Sequence, residues 1–200
     1  MLLSILSQLQ EWDQWLFRQI NSGCSNPVFD AIMPFMRNSV NWAPLYLFLL
    51  VFVILNFKTR GIWWAVFFLA TVALTDMTGT YAFKHVFHRI RPCNDPAFSE
   101  HVRLVINKCA GGFSFISNHA ANHFAMSVFF ISSFRHTLGK WTWLVLCWAP
   151  LIAFAQVYIG VHYPLDVIAG ALVGSIYGLA AGLYFNKRFG FTTFGTQPAS

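Results

Sequence analysis

Residues 61–93, "GIWWAVFFLATVALTDMTGTYAFKHVFHRIRPC", join an apolar run interrupted only by Asp76 to a short segment carrying Lys84, His85, His88, Arg89 and Arg91. A helix rises about 1.5 Å per residue, so the run 61–83 is long enough to cross a hydrocarbon core of roughly 30 Å. The basic segment then falls at a membrane surface. The stretch reads as one spanning helix that delivers a cluster of cations to an interface.

Outward from it, uncharged runs at 38–57, 113–134, 141–165 and 167–186 are each long enough to span as well. With 56% hydrophobic residues, 10% charged residues and a mean hydropathy of +0.54, the 200-residue chain lies outside the range of an ordinary soluble domain. Lipid offers a backbone no hydrogen-bond partners, and the alternation of a membrane barrel is absent. The expected fold is all-α: an integral membrane helical bundle with about five to six transmembrane helices, built as a single domain over 1–200. Within it, 38–186 form the transmembrane bundle and 187–200 a cytoplasmic tail, whose last residues "TTFGTQPAS" read as frayed.

Residues 1–37 form an amphipathic, interfacial region. Leu2, Ile5, Leu6, Leu9, Trp12, Leu16 and Ile20 recur at helical spacing opposite Gln8, Glu11 and Arg18. A sixth span in this region is the alternative. A cleaved signal peptide is not expected, because no basic residue precedes the first apolar run and no small-residue cleavage site follows it. Trp42, Trp63, Trp64, Trp141 and Trp143 stand at span ends, where amphipathic rings favour the headgroup level. Gly170, Gly174, Gly178 and Gly182 recur every four residues and make a smooth stripe, for close packing within the chain or for a homodimer face.

Five spans place alternate connections on opposite sides. Lys58, Arg60, Arg135, Lys140, Lys187 and Arg188 then face Arg18, Arg37, Lys84, Arg89, Arg91, Arg103 and Lys108, six against seven, so the positive-inside rule alone does not decide the orientation. Three compact dibasic connections read as cytoplasmic anchors, which puts the long loop 84–112 outside. Cys93 and Cys109 both fall in that loop. On an oxidising side they would bridge, closing about 17 residues for roughly 3 kcal/mol; the alternative is two free thiols.

Helix parity brings three polar groups to this same surface: Lys84 and Arg91, then Ser117, Asn118 and His119, then His162 and Asp166. Each has a plain explanation. Basic side chains snorkel or attract anionic lipids, Ser117 suits an N-cap, and Asp166 suits the third position of a helix that begins at Pro164. Together they form a cradle for a phosphate.

The segments "KHVFHRIRP", "SNHA" and "QVYIGVHYPLD" resemble the three-part signature of the type 2 phosphatidic acid phosphatase superfamily, KxxxxxxRP, PSGH and SRxxxxxHxxxD. Lys84, Arg91, Pro92, Ser117, His119, His162 and Asp166 match it. Ile116, Asn118, Ala155 and Gln156 depart from it, and Gln156 replaces an Arg that ordinarily contacts the phosphate. The resemblance implies a membrane lipid-phosphate phosphatase that forms a phosphohistidine. His162 would be the nucleophile, Asp166 its orienting acid and His119 the proton donor; Lys84, Arg91, Ser117, Asn118 and Gln156 would hold the phosphate. Arg89, Arg103 and Lys108 are candidates to replace the missing charge.

No metal or other cofactor is implied. His119 and His123 share a helix face, but Ala120 stands where the HExxH pattern of a zinc protease needs Glu. His123 and Asn122 read as supporting or pore-facing residues, and Asp76 as a hydrogen-bonding acid. The expected partners are the bilayer and a phosphorylated lipid, such as a polyprenyl diphosphate, phosphatidic acid, phosphatidylglycerol phosphate or a lipid A phosphate, with no nucleic acid. The expected location is a bacterial inner membrane with the site on the periplasmic side. The alternative function is a non-catalytic phospholipid-binding or transporting protein with a degenerate site.

Overall fold

Helix boundaries follow from capping groups and from two residues in unusual backbone conformations. The computed structural model describes residues 2–191, so the expected frayed tail at 192–200 lies outside the described residues. Helix α1 (Leu2–Arg18) runs on through a π turn at Gln19–Gly23. Helix α2 (Pro27–Arg37) starts where the Asn26 side chain accepts from the Phe29 amide and Pro27 fills the first turn. Helix α3 (Ala43–Met77) continues through a π turn at Thr78–Lys84 and the single turn α4 (His85–Phe87). After a long loop come α5 (Asn118–Leu138), α6 (Leu144–Tyr158) and α7 (Pro164–Phe189). The fold is all-α, with no strand among the described residues.

Three continuous stretches, rather than five or six, are long and apolar enough to cross a membrane: Ser39–Asn94, Asn118–Tyr158 and Pro164–Phe189. The difference lies in the turns. Lys58 leaves helical geometry inside α3 at φ 52° and ψ −127°, and Gly139 does so after α5 at φ 56° and ψ −134°. At the first break the chain doubles back closely enough that a Cβ on Gly61 would collide with the Val53 carbonyl. Helical hydrogen bonding resumes at once on either side of both breaks, so pairs of apolar helices read as single stretches.

The glycine stripe of α7 is buried against α5. A Cβ at Gly174 or Gly178 would strike the carbonyl of Ala121 or Ala125, so Gly is required for the two backbones to approach. Packing within one chain therefore already buries the stripe. Toward one end of the bundle Trp64, Phe68, Phe129, Phe134 and Phe185 form an aromatic core. Trp64 is fully buried and donates to Ser133 Oγ at 2.8 Å, so it is a core residue and not the interfacial anchor expected. Trp63, Trp141 and Trp143 are exposed as expected. The Arg60 guanidinium reaches the Gly190 carbonyl at 3.2 Å, and Phe191 stacks on Phe134, so the basic turns at 58–60, 135–140 and 187–188 gather at this end.

Helix α1 lies across the opposite end with its polarity inverted relative to a soluble helix. Ile5, Leu6, Leu9, Trp12, Trp15 and Leu16 are exposed, whereas Asp13 and Asn21 are buried. An apolar outer face fits the interfacial placement. The buried polar residues are structural ties: Asn21 bonds the Arg103 and Tyr158 carbonyls at 2.8 and 2.7 Å.

Candidate active site

Four segments meet at the α1 end: the loop after α4, the start of α5, the turn between α6 and α7, and the first turn of α7. Tyr163 and Asp166 form a reciprocal cap at the start of α7, with the Tyr163 amide donating to Asp166 Oδ2 at 2.9 Å. The Ser117 amide donates to the Asp166 carbonyl at 2.9 Å and its hydroxyl caps the Ala120 amide at 3.4 Å, which ties the start of α5 to α7.

His162 is almost fully buried in the α6–α7 turn. Its Nε2 lies 2.9 Å from Arg91 Nη1. A guanidinium can only donate, so Nε2 must accept, and the imidazole proton sits on Nδ1. Nδ1 faces Asp166 Oδ2 at 3.5 Å and Ser114 Oγ at 3.4 Å. The 3.5 Å separation is an ion-pair distance and too long for a good hydrogen bond. Burial pushes the imidazole pKa down to about 4 against the opposing pull of Asp166, so the ring is neutral near pH 7. The neutral imidazole thus keeps its Nε2 lone pair on the Arg91 guanidinium.

Asp166 is fully engaged. Oδ1 accepts from Arg89 Nη1 at 2.7 Å, and Oδ2 accepts from the Ser114 hydroxyl as well as from Tyr163. Arg89 also donates to Asp13 Oδ2 at 2.5 Å, while Asp13 Oδ1 accepts from the Leu165 amide at 2.8 Å. Asp13 thereby links α1, the basic segment and the first turn of α7. Burial raises its pKa, with Arg89 opposing. Arg91 is held in place by the carbonyls of Gly111, Gly112 and Val161 at 3.1–3.2 Å. A disulfide joins Cys93 to Cys109, Cα to Cα 5.9 Å, and clamps the ends of this loop.

The anticipated site residues thus divide into two groups. His162, Asp166 and Arg91 are in contact, and Ser117 is bonded to Asp166. Lys84, half-buried at the end of the π turn, is within electrostatic range of Arg91, Asp166, His119 and His162. Asn118 instead points into the bundle, where its amide donates to Asp76 Oδ1 at 3.0 Å and to Thr80 Oγ1 at 2.9 Å. Asn122 also donates to Asp76, at 2.9 Å, so this acid organises two amides. Gln156 is fully buried, and neither atom of its side-chain amide has a hydrogen-bond partner among the described residues. Such an amide costs about 1–3 kcal/mol for each unmet group unless a ligand or water supplies the bonds.

Of the candidate replacement cations, Arg89 is neutralised by Asp13 and Asp166, and Arg103 is paired with Asp30 at 2.8 Å. Sequence reasoning missed Asp13 and Ser114. Asp13 had a signal, an acid amid the apolar pattern of α1; Ser114 had none.

His119 stands where two cavities meet. One, of about 420 Å³, is largely apolar and is lined by Leu50, Phe68, Leu69 and Val72 together with Asn122 and His123. The other, of about 540 Å³, is richer in polar groups and includes Arg37, Lys108 and Gly111. His123 does not join His119 on a metal, because its Nδ1 is bonded to the His119 carbonyl at 2.7 Å and its Nε2 to the Tyr46 hydroxyl at 3.0 Å. Among the described residues no three His, Cys, Asp or Glu are grouped to hold a metal ion.

The sequence profile of the PAP2 superfamily matches residues 61–189. A lipid A 4'-phosphatase of Bacteroides thetaiotaomicron is 30% identical over 160 residues, covering 78% of this chain and 70% of that protein. An undecaprenyl-diphosphatase of Sulfolobus acidocaldarius is 31% identical over 139 residues, covering 67% and 58% respectively. The crystal structure of a PAP2-type phosphatidylglycerolphosphate phosphatase from Bacillus subtilis superposes with a TM-score of 0.72 at 20% identity, covering 90% of this chain and 88% of that one, which shows a shared fold. The chain belongs to the PAP2 superfamily of membrane lipid-phosphate phosphatases.

Proposed function

We propose that the protein hydrolyses a lipid phosphomonoester or diphosphate through a phosphohistidine on His162, without a metal. The carrying observation is the Nε2 lone pair of a neutral His162, 2.9 Å from Arg91. An arriving phosphate would take Arg91 onto a non-bridging oxygen and free Nε2 to attack phosphorus. Asp166 would stabilise the imidazolium that forms, while Lys84 and Gln156 would complete the cradle. His119 would protonate the leaving oxygen and then activate the water that cleaves the phosphohistidine. Its place between a largely apolar cavity and one that holds Arg37 and Lys108 suits a substrate with a lipid chain on one side and a headgroup on the other.

Two relatives act on lipid A and on undecaprenyl diphosphate, and their likeness to this chain supports these two substrate types; phosphatidic acid and phosphatidylglycerol phosphate complete the candidate set. Counting each arm of the broken stretches, the chain crosses a bacterial inner membrane five times, with the site on the periplasmic side. Purified protein in detergent should release phosphate from at least one of these lipids, undiminished by chelator and inhibited by vanadate. Loss of activity with chelator and recovery with zinc would sink the metal-free mechanism. The neutral Gln156, unpartnered among the described residues, favours one other reading, a phospholipid binder descended from a phosphatase, for which no lipid would be turned over.

A further inference from the structure

Arg37, the last residue of α2, is half-buried and has no ion pair or side-chain hydrogen bond among the described residues. Its position is fixed rather than incidental. Met33 of the same helix is buried against Tyr158 and Ile159, and Phe29 packs edge-on to Tyr158 and Phe154 of α6. A cation at a helix C-terminus commonly serves the last carbonyls. Here two of those carbonyls are already met: Asn41 donates to Phe35 O at 2.9 Å and Trp42 to Met36 O at 2.8 Å. Burial lowers the Arg37 pKa with no carboxylate to oppose it, and a desolvated cation without an anion is costly.

The second cavity shows what this cation faces. Arg37, Asn38, Ser39, Asn107, Lys108 and His119 line it, and none of His162, Arg91 or Gln156 does. Lys108 likewise has no ion pair among the described residues, and the adjacent Cys109 is bridged to Cys93, two residues beyond Arg91. The cavity adjoins the scissile position through Gly111, whose carbonyl accepts from Arg91 Nε at 3.2 Å. At about 540 Å³ it is far larger than one phosphoryl group requires.

We propose that Arg37 and Lys108 form a second anion subsite, on the His119 side of the scissile phosphate, which receives a further negatively charged group of the same headgroup. This rests on the phosphatase reading and narrows its substrate to lipids with two anionic groups. Either the inner phosphate of a diphosphate or a distant phosphate on a bis-phosphorylated headgroup supplies the required chemistry.

The test compares farnesyl diphosphate, bis-phosphorylated lipid A and phosphatidic acid as substrates of wild type, Arg37→Gln, Arg37→Lys and Lys108→Gln in detergent. The expected result is that Arg37→Gln lowers the ratio of kcat/KM for a two-anion lipid over that for phosphatidic acid by roughly tenfold or more, the scale of a lost charge-assisted hydrogen bond. Arg37→Lys should retain most of the ratio and shows that the helix still folds. A fall confined to farnesyl diphosphate assigns the inner phosphate, and one confined to lipid A assigns the distant phosphate. Losses in step on all three substrates would place Arg37 at the scissile phosphate and overturn the proposal, as would no loss on any. If wild type hydrolyses none of the lipids, the phosphatase reading fails separately. The subsite is then judged by farnesyl diphosphate binding, where equal affinity in wild type and Arg37→Gln would overturn it.

Discussion

At His162 two opposing effects set the protonation state, and the larger one decides the pH response. Burial lowers its pKa from the ordinary 6.5 to about 4, although Asp166 pulls the other way. The unfolded chain therefore takes up a proton at His162 before the folded one does. Stability from this group is complete above pH 6.5 and is lost as pH falls from about 6.5 toward 4. Thermal unfolding in detergent should accordingly shift to lower temperature between pH 7 and pH 5, and His162→Gln should flatten that dependence. An unchanged slope would mean that the imidazole is not held neutral by burial. Loss of turnover in His162→Ala checks its chemical role, and full retained activity would remove it as nucleophile. Gln156 presents the converse case, a neutral group where the superfamily signature has a cation. Gln156→Ala should lower turnover roughly 100-fold, as for one lost transition-state donor, and Gln156→Arg should remain active. A neutral effect of Gln156→Ala would show that the amide does not touch phosphate.

Among the elements, α1 acts as a strap across the site rather than as a passive float on the membrane. Asp13 joins it to Arg89 and to the Leu165 amide, and Arg89 in turn holds Asp166. Asp13→Asn removes the charge that balances Arg89 on that side, a loss of about 2 kcal/mol for a charge-assisted hydrogen bond. It should lower both thermal stability and kcat, whereas Glu11→Gln, on the outer face of the same helix, should change neither. Equal behaviour of the two variants would reduce α1 to a membrane contact. The all-α character and the long apolar runs were legible in the sequence because hydropathy is a local property, although five or six expected spans appear as three continuous stretches. Lys84, Arg91, Ser117, His162 and Asp166 could be gathered at one surface by counting crossings. The Asp13 tie, the Ser114 bond to Asp166 and the inward turn of Asn118 toward Asp76 were not legible, because each depends on contact between segments far apart in the chain. Trp64 misled for a related reason: its neighbour Trp63 is exposed, and only the packing of α5 shows that Trp64 faces inward.

For the whole molecule, charge and redox features separate by end. The basic turns gather near the aromatic core, with Arg60 on the Gly190 carbonyl, while the site, α1 and the Cys93–Cys109 bridge occupy the other end. A disulfide persists on an oxidising side of a membrane, and compact basic turns are retained on the cytoplasmic side. Both features favour the same orientation, although the count of basic residues alone was balanced. The proposed five crossings would place both breaks, at Lys58 and at Gly139, at the end opposite the site. In a background with the free Cys24 and Cys147 replaced by Ser, a membrane-impermeant maleimide applied to intact cells should label a Cys introduced at Ser99. It should fail to label one introduced at Thr59 until the membrane is opened. The reverse pattern would turn the site to the cytoplasm, and labelling of both positions would mean that the two arms of α3 do not each cross.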